Sequence, residues 1–309
     1  MELESRLATL GDVETEESLI SQIVTDPSVN PDFNTNESRS VFDSSQKDLS
    51  RLLIFVLVAL GVWVASVLFI VIVPSLFLLP YLFLHDPPIT DSGQMVEFAK
   101  SDPTSVILQI AGIIPAHILT IVVAWIVVSR GRKYSFLKTL GWQSGGFWMW
   151  ITYPIILVGF MVIAGVVNYY FPEQENDLIR MLRSSRSAVY VIAFVATFTA
   201  PFVEEVVYRG VLYSAFQRVA GSPAAFLIVT FLFALVHVPQ YYPSYSTIFL
   251  LVLLSLTLTA IRVKTNNLLP CIILHTLFNG IQSVGLLLGP YAKPSEIPDP
   301  TAIIFHLFK

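Results

Sequence analysis

The chain has 309 residues, 54% hydrophobic and only 13% charged, with a net charge of −4 and a mean hydropathy of +0.69. A soluble domain carries about a quarter charged residues, so this composition excludes an ordinary soluble enzyme. No basic surplus exists to neutralise phosphates, which argues against a nucleic-acid partner. The single cysteine, Cys271, excludes a disulfide framework and a cysteine-clustered metal site.

Residues 1–50 hold 11 of the 22 acidic residues and only three basic ones, Arg6, Arg39 and Lys47. Ser, Asn, Thr and Asp dominate the second half of this segment. It has too little apolar surface to offset its ordering entropy, so it reads as a largely disordered acidic tail, with room for a short helix around Ser18–Val24. It lacks the positive and apolar regions of a signal peptide. Its bland role is solvation, and its functional alternative is binding a cytosolic partner.

Residues 51–290 read as a membrane domain. A span needs about 20 mostly apolar residues. The predicted spans are Leu52–Phe83, Val106–Val128, Trp148–Tyr170, Ala188–Tyr213, Ala224–His237, Ile248–Ile261 and Leu268–Leu288. The first could split at Pro74, and the fifth and sixth are short. The fold class expected is therefore all-α: a polytopic transmembrane helix bundle of about seven spans enclosing a polar cavity. Residues 291–309 form a short C-terminal tail. No internal repeat of 20–50 residues is visible.

Loop charge sets the orientation. Lys47 and Arg51 precede the first span. Arg130, Arg132, Lys133 and Lys138 follow the second, Arg218 the fourth, and Arg262 and Lys264 the sixth. These loops alternate consistently and place the N-terminus in the cytoplasm. The loop 171–187 fits least well, with Arg180, Arg183 and Arg186 beside Glu173, Glu175 and Asp177.

Ionisable groups inside hydrocarbon are costly and are functional suspects by default. The formally charged ones are Glu204, Glu205 and Arg209, joined by His117, His237 and His275 and by the amides Gln109, Asn168, Asn279 and Gln282. Glu205 and Arg209 stand at i, i+4 and should pair. Glu204 is turned about 100° away and remains available to another helix. Pro201 frees a carbonyl just ahead of the pair. Phe233 and His237 share a face, as do His275 and Asn279. Two histidines, a free carboxylate and an amide on three helices can hold and deprotonate a water and stabilise an oxyanion. A divalent metal held by Glu204, His237 and His275 is the other chemistry this set allows. Tyr208 and Phe233 read as packing residues, and His117 as a helix–helix hydrogen-bond partner.

The segments Pro201-x-x-Glu-Glu-x-x-x-Arg-Gly210, Phe233-x-x-x-His237 and His275-x-x-x-Asn279, with the lead-in Asn267-Leu-Leu-Pro before the last, resemble the CAAX-protease and bacteriocin-processing family of intramembrane endopeptidases. That family includes the Ras-converting prenyl-protein endoprotease. The resemblance covers about residues 188–285. It implies a helical bundle with a cavity open to the cytosol and peptide-bond hydrolysis near a substrate C-terminus. The substrate would be a peptide or prenylated CAAX protein, or a related bacterial membrane protein. Catalytic roles carry over to Glu204 and His237, which activate the water, and to His275 and Asn279, which supply the oxyanion site. Glu205 and Arg209 support them.

The family is labelled metalloprotease, yet a glutamate-driven, metal-free mechanism is also argued for it. Asn279 is a poor zinc ligand, which favours the metal-free reading with no cofactor; a divalent metal such as zinc is the alternative. Rival functions from other classes are a non-catalytic membrane scaffold of the immunity type and an ion-coupled transporter. A transporter should show related halves with paired broken helices.

Overall fold

A computed structural model describes residues 35–85, 87–144, 146 and 149–288; side chains are described from Ser50 onward, apart from residues 149, 150 and 184. The possible helix at Ser18–Val24 and the C-terminal tail lie outside the described residues. The chain divides into Met1–Ile54 and Phe55–Lys309, and the bundle described below belongs to the second unit.

In chain order the helices are α1 (Thr35–Leu84), α2 (Ser92–Ser101), α3 (Pro103–Ser129), the single turn α4 (Phe136–Thr139), α5 (Met149–Tyr170), α6 (Asp177–Ser184) and α7 (Arg186–Phe194). A π-turn, Val195–Thr199, leads into α8 (Ala200–Glu205), and a second π-turn, Val206–Leu212, leads out of it. Then come α9 (Tyr213–Tyr241), α10 (Tyr245–Thr265) and α11 (Leu269–Leu288). No strand occurs among the described residues.

Six helical stretches are long and apolar enough to cross a membrane: Ser50–Leu84, Pro103–Ser129, Ile151–Tyr170, Arg186–Tyr241, Tyr245–Thr265 and Leu269–Leu288. The protein is an all-helical integral membrane protein. Large apolar side chains such as Leu57, Val71, Ile155 and Val158 stand exposed on its surface, as lipid-facing residues do. One expectation needs adjustment. α1 continues through Pro74 and Pro80 without a break. It starts at Thr35, inside the polar segment. A helix once nucleated extends at little cost.

The fourth stretch has 56 residues, far more than one crossing needs. It is broken at Gly221, where φ is 76° and ψ 169°, a conformation that only glycine adopts freely. The chain doubles back there. The two expected spans at Ala188–Tyr213 and Ala224–His237 are the arms of this hairpin. Tyr208 thereby meets Phe233, with ring centroids 5.1 Å apart.

The local sequence explains the ends. Asp102 accepts the Ser105 N–H at 2.8 Å and Pro103 opens the first turn of α3, the two devices that suit a helix start. α3 ends on Arg130 in the left-handed region. Its residues Gly112, Ala116, Thr120 and Ala124 recur every fourth position, and all are buried. Such a stripe of small residues lets helix backbones approach closely. A Cβ on Gly112 would lie 2.7 Å from the Pro74 Cα, so α1 and α3 pack backbone to backbone there.

Three apolar clusters pack the bundle. Ala59, Val62, Ala124, Val206, Leu212 and Phe233 belong to one around the second π-turn. Phe160, Leu258 and Phe278 belong to one joining α5, α10 and α11. Val106, Ile110 and Ala188 join α3 to α7.

Candidate active site

Glu204 and Glu205 end a six-residue α-helix held between two π-turns. π-turns shift the register of side chains by a fraction of a turn and are found disproportionately at functional sites. Here each has a physical origin. In the first, the Ala200 N–H bonds to the Val195 carbonyl, five residues back. The same register would bring residue 201 to the Ala196 carbonyl, but Pro201 has no N–H. Asn279 fills the vacancy: its Nδ2 donates to the Ala196 carbonyl at 2.9 Å. In the second, Arg262 Nε donates to the Arg209 carbonyl at 3.1 Å.

Glu205 and Arg209 are both 0% exposed, and Arg209 Nη1 donates to Glu205 Oε1 at 3.0 Å. The rest of the guanidinium is also committed. Nη2 donates to the Ser255 hydroxyl at 2.8 Å and its carbonyl at 3.1 Å, and Nε to Thr259 Oγ1 at 3.3 Å. The Phe233 ring lies 4.7 Å from its central carbon, a cation–π contact strengthened by burial. Glu205 Oε1 takes a second donor, His275 Nδ1, at 2.9 Å. Its other oxygen, Oε2, is buried without a hydrogen-bond partner.

Glu204 faces the other way and is 22% exposed. Its Oε1 is 4.0 Å from His237 Nε2 and its Oε2 is 3.8 Å from His275 Nε2. Both rings are oriented through their other nitrogen. His237 Nδ1 donates to the Phe233 carbonyl at 2.7 Å. His275 Nδ1 donates to Glu205. In the neutral rings this leaves the lone pair on Nε2, facing Glu204. Separations near 4 Å are too long for direct hydrogen bonds and suit groups bridged by a water.

Glu204, Glu205, Arg209, His237 and His275 are thus one connected set. Asn279 lies one turn beyond His275 on α11, with one of its two N–H groups committed to Ala196. Among the described residues no group of three or more His, Cys, Asp or Glu side chains is arranged to hold a metal ion. His117 Nδ1 donates to Thr199 Oγ1 at 2.9 Å, so it does join two helices. Trp63 Nε1 donates to the Tyr208 hydroxyl at 3.1 Å, tying α1 to the second π-turn.

The Ser255–Thr259 cradle for Arg209 escaped sequence reasoning. Its signal was present: two hydroxyls at i, i+4 in an apolar span. Arg262 was counted as a loop charge, yet it is 4% exposed and braces the turn below Arg209. Gly210 also has a steric reason. A Cβ there would come 2.9 Å from Leu140 Cδ2 and 3.6 Å from Leu268 Cδ2.

Residues 186–281 match a family model described as type II CAAX prenyl endopeptidase, Rce1-like. Over this segment the chain is similar to the Rce1-like CAAX endopeptidases. No curated protein and no solved structure matches the chain. The Rce1-like segment contains Glu204, Glu205, Arg209, His237, His275 and Asn279, and leaves α1 to α6 outside it. The match supports, in general terms, a CAAX-type intramembrane endopeptidase.

Proposed function

We propose that this protein cleaves a peptide bond near the C-terminus of a CAAX-type substrate by glutamate- and histidine-activated water, without a metal. The observation that carries this reading is the placement of the Glu204 carboxylate between two histidine Nε2 atoms, at 4.0 and 3.8 Å, with both rings locked from behind.

Glu204 is the general base and His237 shares the hydrogen-bonding of the water. Removal of a proton generates hydroxide beside the scissile carbonyl. Attack gives a tetrahedral oxyanion, and Glu204 returns the proton to the leaving amine. His275 faces the same space. Its Nδ1–H is held by Glu205, the arrangement in which a carboxylate orients an imidazole. In its imidazolium form, reached by taking a proton from solvent before the water attacks, His275 donates through Nε2 to the oxyanion, joined by the second Asn279 N–H. Arg209 holds Glu205 in place through their 3.0 Å ion pair.

Peptide or prenylated-protein substrates in the lipid phase are the partners this reading implies. The cationic loops support an orientation with the N-terminus in the cytosol and the site reached from that side. The test uses the full chain in liposomes with a farnesylated CAAX peptide, the same peptide without the lipid, and water enriched in oxygen-18. The expected result is release of the C-terminal tripeptide and one heavy oxygen in the new carboxylate. Loss of the lipid should slow the reaction. Intact peptide after prolonged incubation would favour the scaffold reading.

A further inference from the structure

The stretch preceding Glu204 is bonded to two other helices by side chains that a span of packing residues does not need. Asn279 caps the Ala196 carbonyl. Thr197 Oγ1 donates to Ser283 Oγ at 2.9 Å. On the opposite side, His117 of α3 donates from Nδ1 to Thr199 Oγ1, and the Thr199 hydroxyl donates onward to the Val195 carbonyl at 3.1 Å. The Val195 carbonyl is the one that also accepts the π-turn's Ala200 N–H. His117 therefore ends a chain of hydrogen bonds that terminates on the bond defining the turn.

His117 is buried, at 7% exposure, and sits on the α3 turn that carries the small residues Ala116 and Thr120. Its burial has a cost, which a hydrogen bond to a threonine offsets. An apolar residue packed on Thr199 would avoid that cost but would offer its hydroxyl no hydrogen bond. α3 falls outside the Rce1-like segment, which begins at residue 186.

We propose that His117 is a positioning residue that, through Thr199, fixes the first π-turn and thereby the aim of the Glu204 carboxylate. The inference rests on the hydrolytic role of Glu204 given above. Glu204 follows Thr199 by five residues of helix, so a slip from the π to the α register at Val195 would rotate it away from His237 and His275.

The experiment compares full-chain wild type, His117→Phe, Thr199→Val, their double variant and His117→Asn in liposomes. Peptide cleavage gives kcat and KM. Hydrogen–deuterium exchange of peptides spanning 195–205 gives a readout independent of activity. His117→Phe and Thr199→Val should each lower kcat by about ten- to a hundredfold, the size of effect that small misplacement produces, with KM changed less than about twofold. The double variant should be no worse than either single one, because both break one chain. Exchange at 195–205 should rise in all three. His117→Asn, whose amide N–H can take the place of Nδ1–H, should recover most of both.

Unchanged kcat and exchange in Thr199→Val, the nearly isosteric variant, would overturn the proposal even if His117→Phe failed to fold. Restored exchange without restored rate in His117→Asn would also overturn it, since the far ring nitrogen would then take part in the chemistry. If wild type itself cleaves nothing, the hydrolytic reading fails first, and the exchange data alone still decide whether His117 holds the turn.

Discussion

Glu205 and His275 are joined by a 2.9 Å hydrogen bond across 70 residues of sequence, and this bond links the ion pair to the reacting centre. One oxygen of Glu205 serves both Arg209 and His275. The adjacent glutamates thus have opposite tasks. Glu205 is sealed and anchors both partners through Oε1, whereas Glu204 reaches into a space lined by imidazoles.

Their substitutions should separate accordingly. Glu205→Gln removes the negative charge opposite a buried Arg209, at a cost of about 3–5 kcal/mol. The expected outcome is a large fall in the melting temperature of the purified protein. Glu204→Gln, at a partly exposed site with no direct ion pair to break, should melt close to wild type.

Asn279→Ala should lower kcat by roughly 10²–10³-fold, as loss of one oxyanion donor does, with little change in KM. Because Asn279 also caps the Ala196 carbonyl, a modest loss of stability should accompany it. A large rise in KM at constant kcat would instead mark uniform substrate binding.

The Arg209 cradle should be structural. Ser255→Ala with Thr259→Val strips hydroxyl partners from Nη2 and Nε. Each buried hydrogen bond to a charged group contributes about 1.5–3 kcal/mol, so the melting temperature should fall. The pair should retain wild-type KM in the fraction that folds.

Metal removal gives an independent check. Activity should survive exhaustive chelation in protein shown by elemental analysis to be metal-free. Loss of activity on chelation, restored by zinc, would replace the water-activation scheme with a metal held by Glu204, His237 and His275.

Much of this site could be read from spacing alone. Glu205 and Arg209 at i, i+4 announced the pair, and the isolation of Glu204, His237 and His275 in apolar spans announced a cluster. Spacing reads the stretch Arg186–Tyr241 as two spans, while the structure joins them in one helical run broken at Gly221, whose positive φ turns the chain. The π-turns were not legible. Pro201 signals a freed carbonyl, but which carbonyl is freed depends on the register, and the register depends on Asn279 and His117 from distant helices. The Glu205–His275 bond was hidden for the same reason, since sequence gives the face of a helix but not its rotation against a neighbour.

The most direct test is the cleavage rate of a farnesylated CAAX peptide by Glu204→Gln and wild-type protein, reconstituted side by side and matched for melting temperature. The change removes the base while keeping its shape. The rate should fall at least about 10²–10⁴-fold, the range that general-base catalysis contributes, with the variant still folded. A folded Glu204→Gln protein that cleaves as fast as wild type would contradict the central role assigned to this carboxylate.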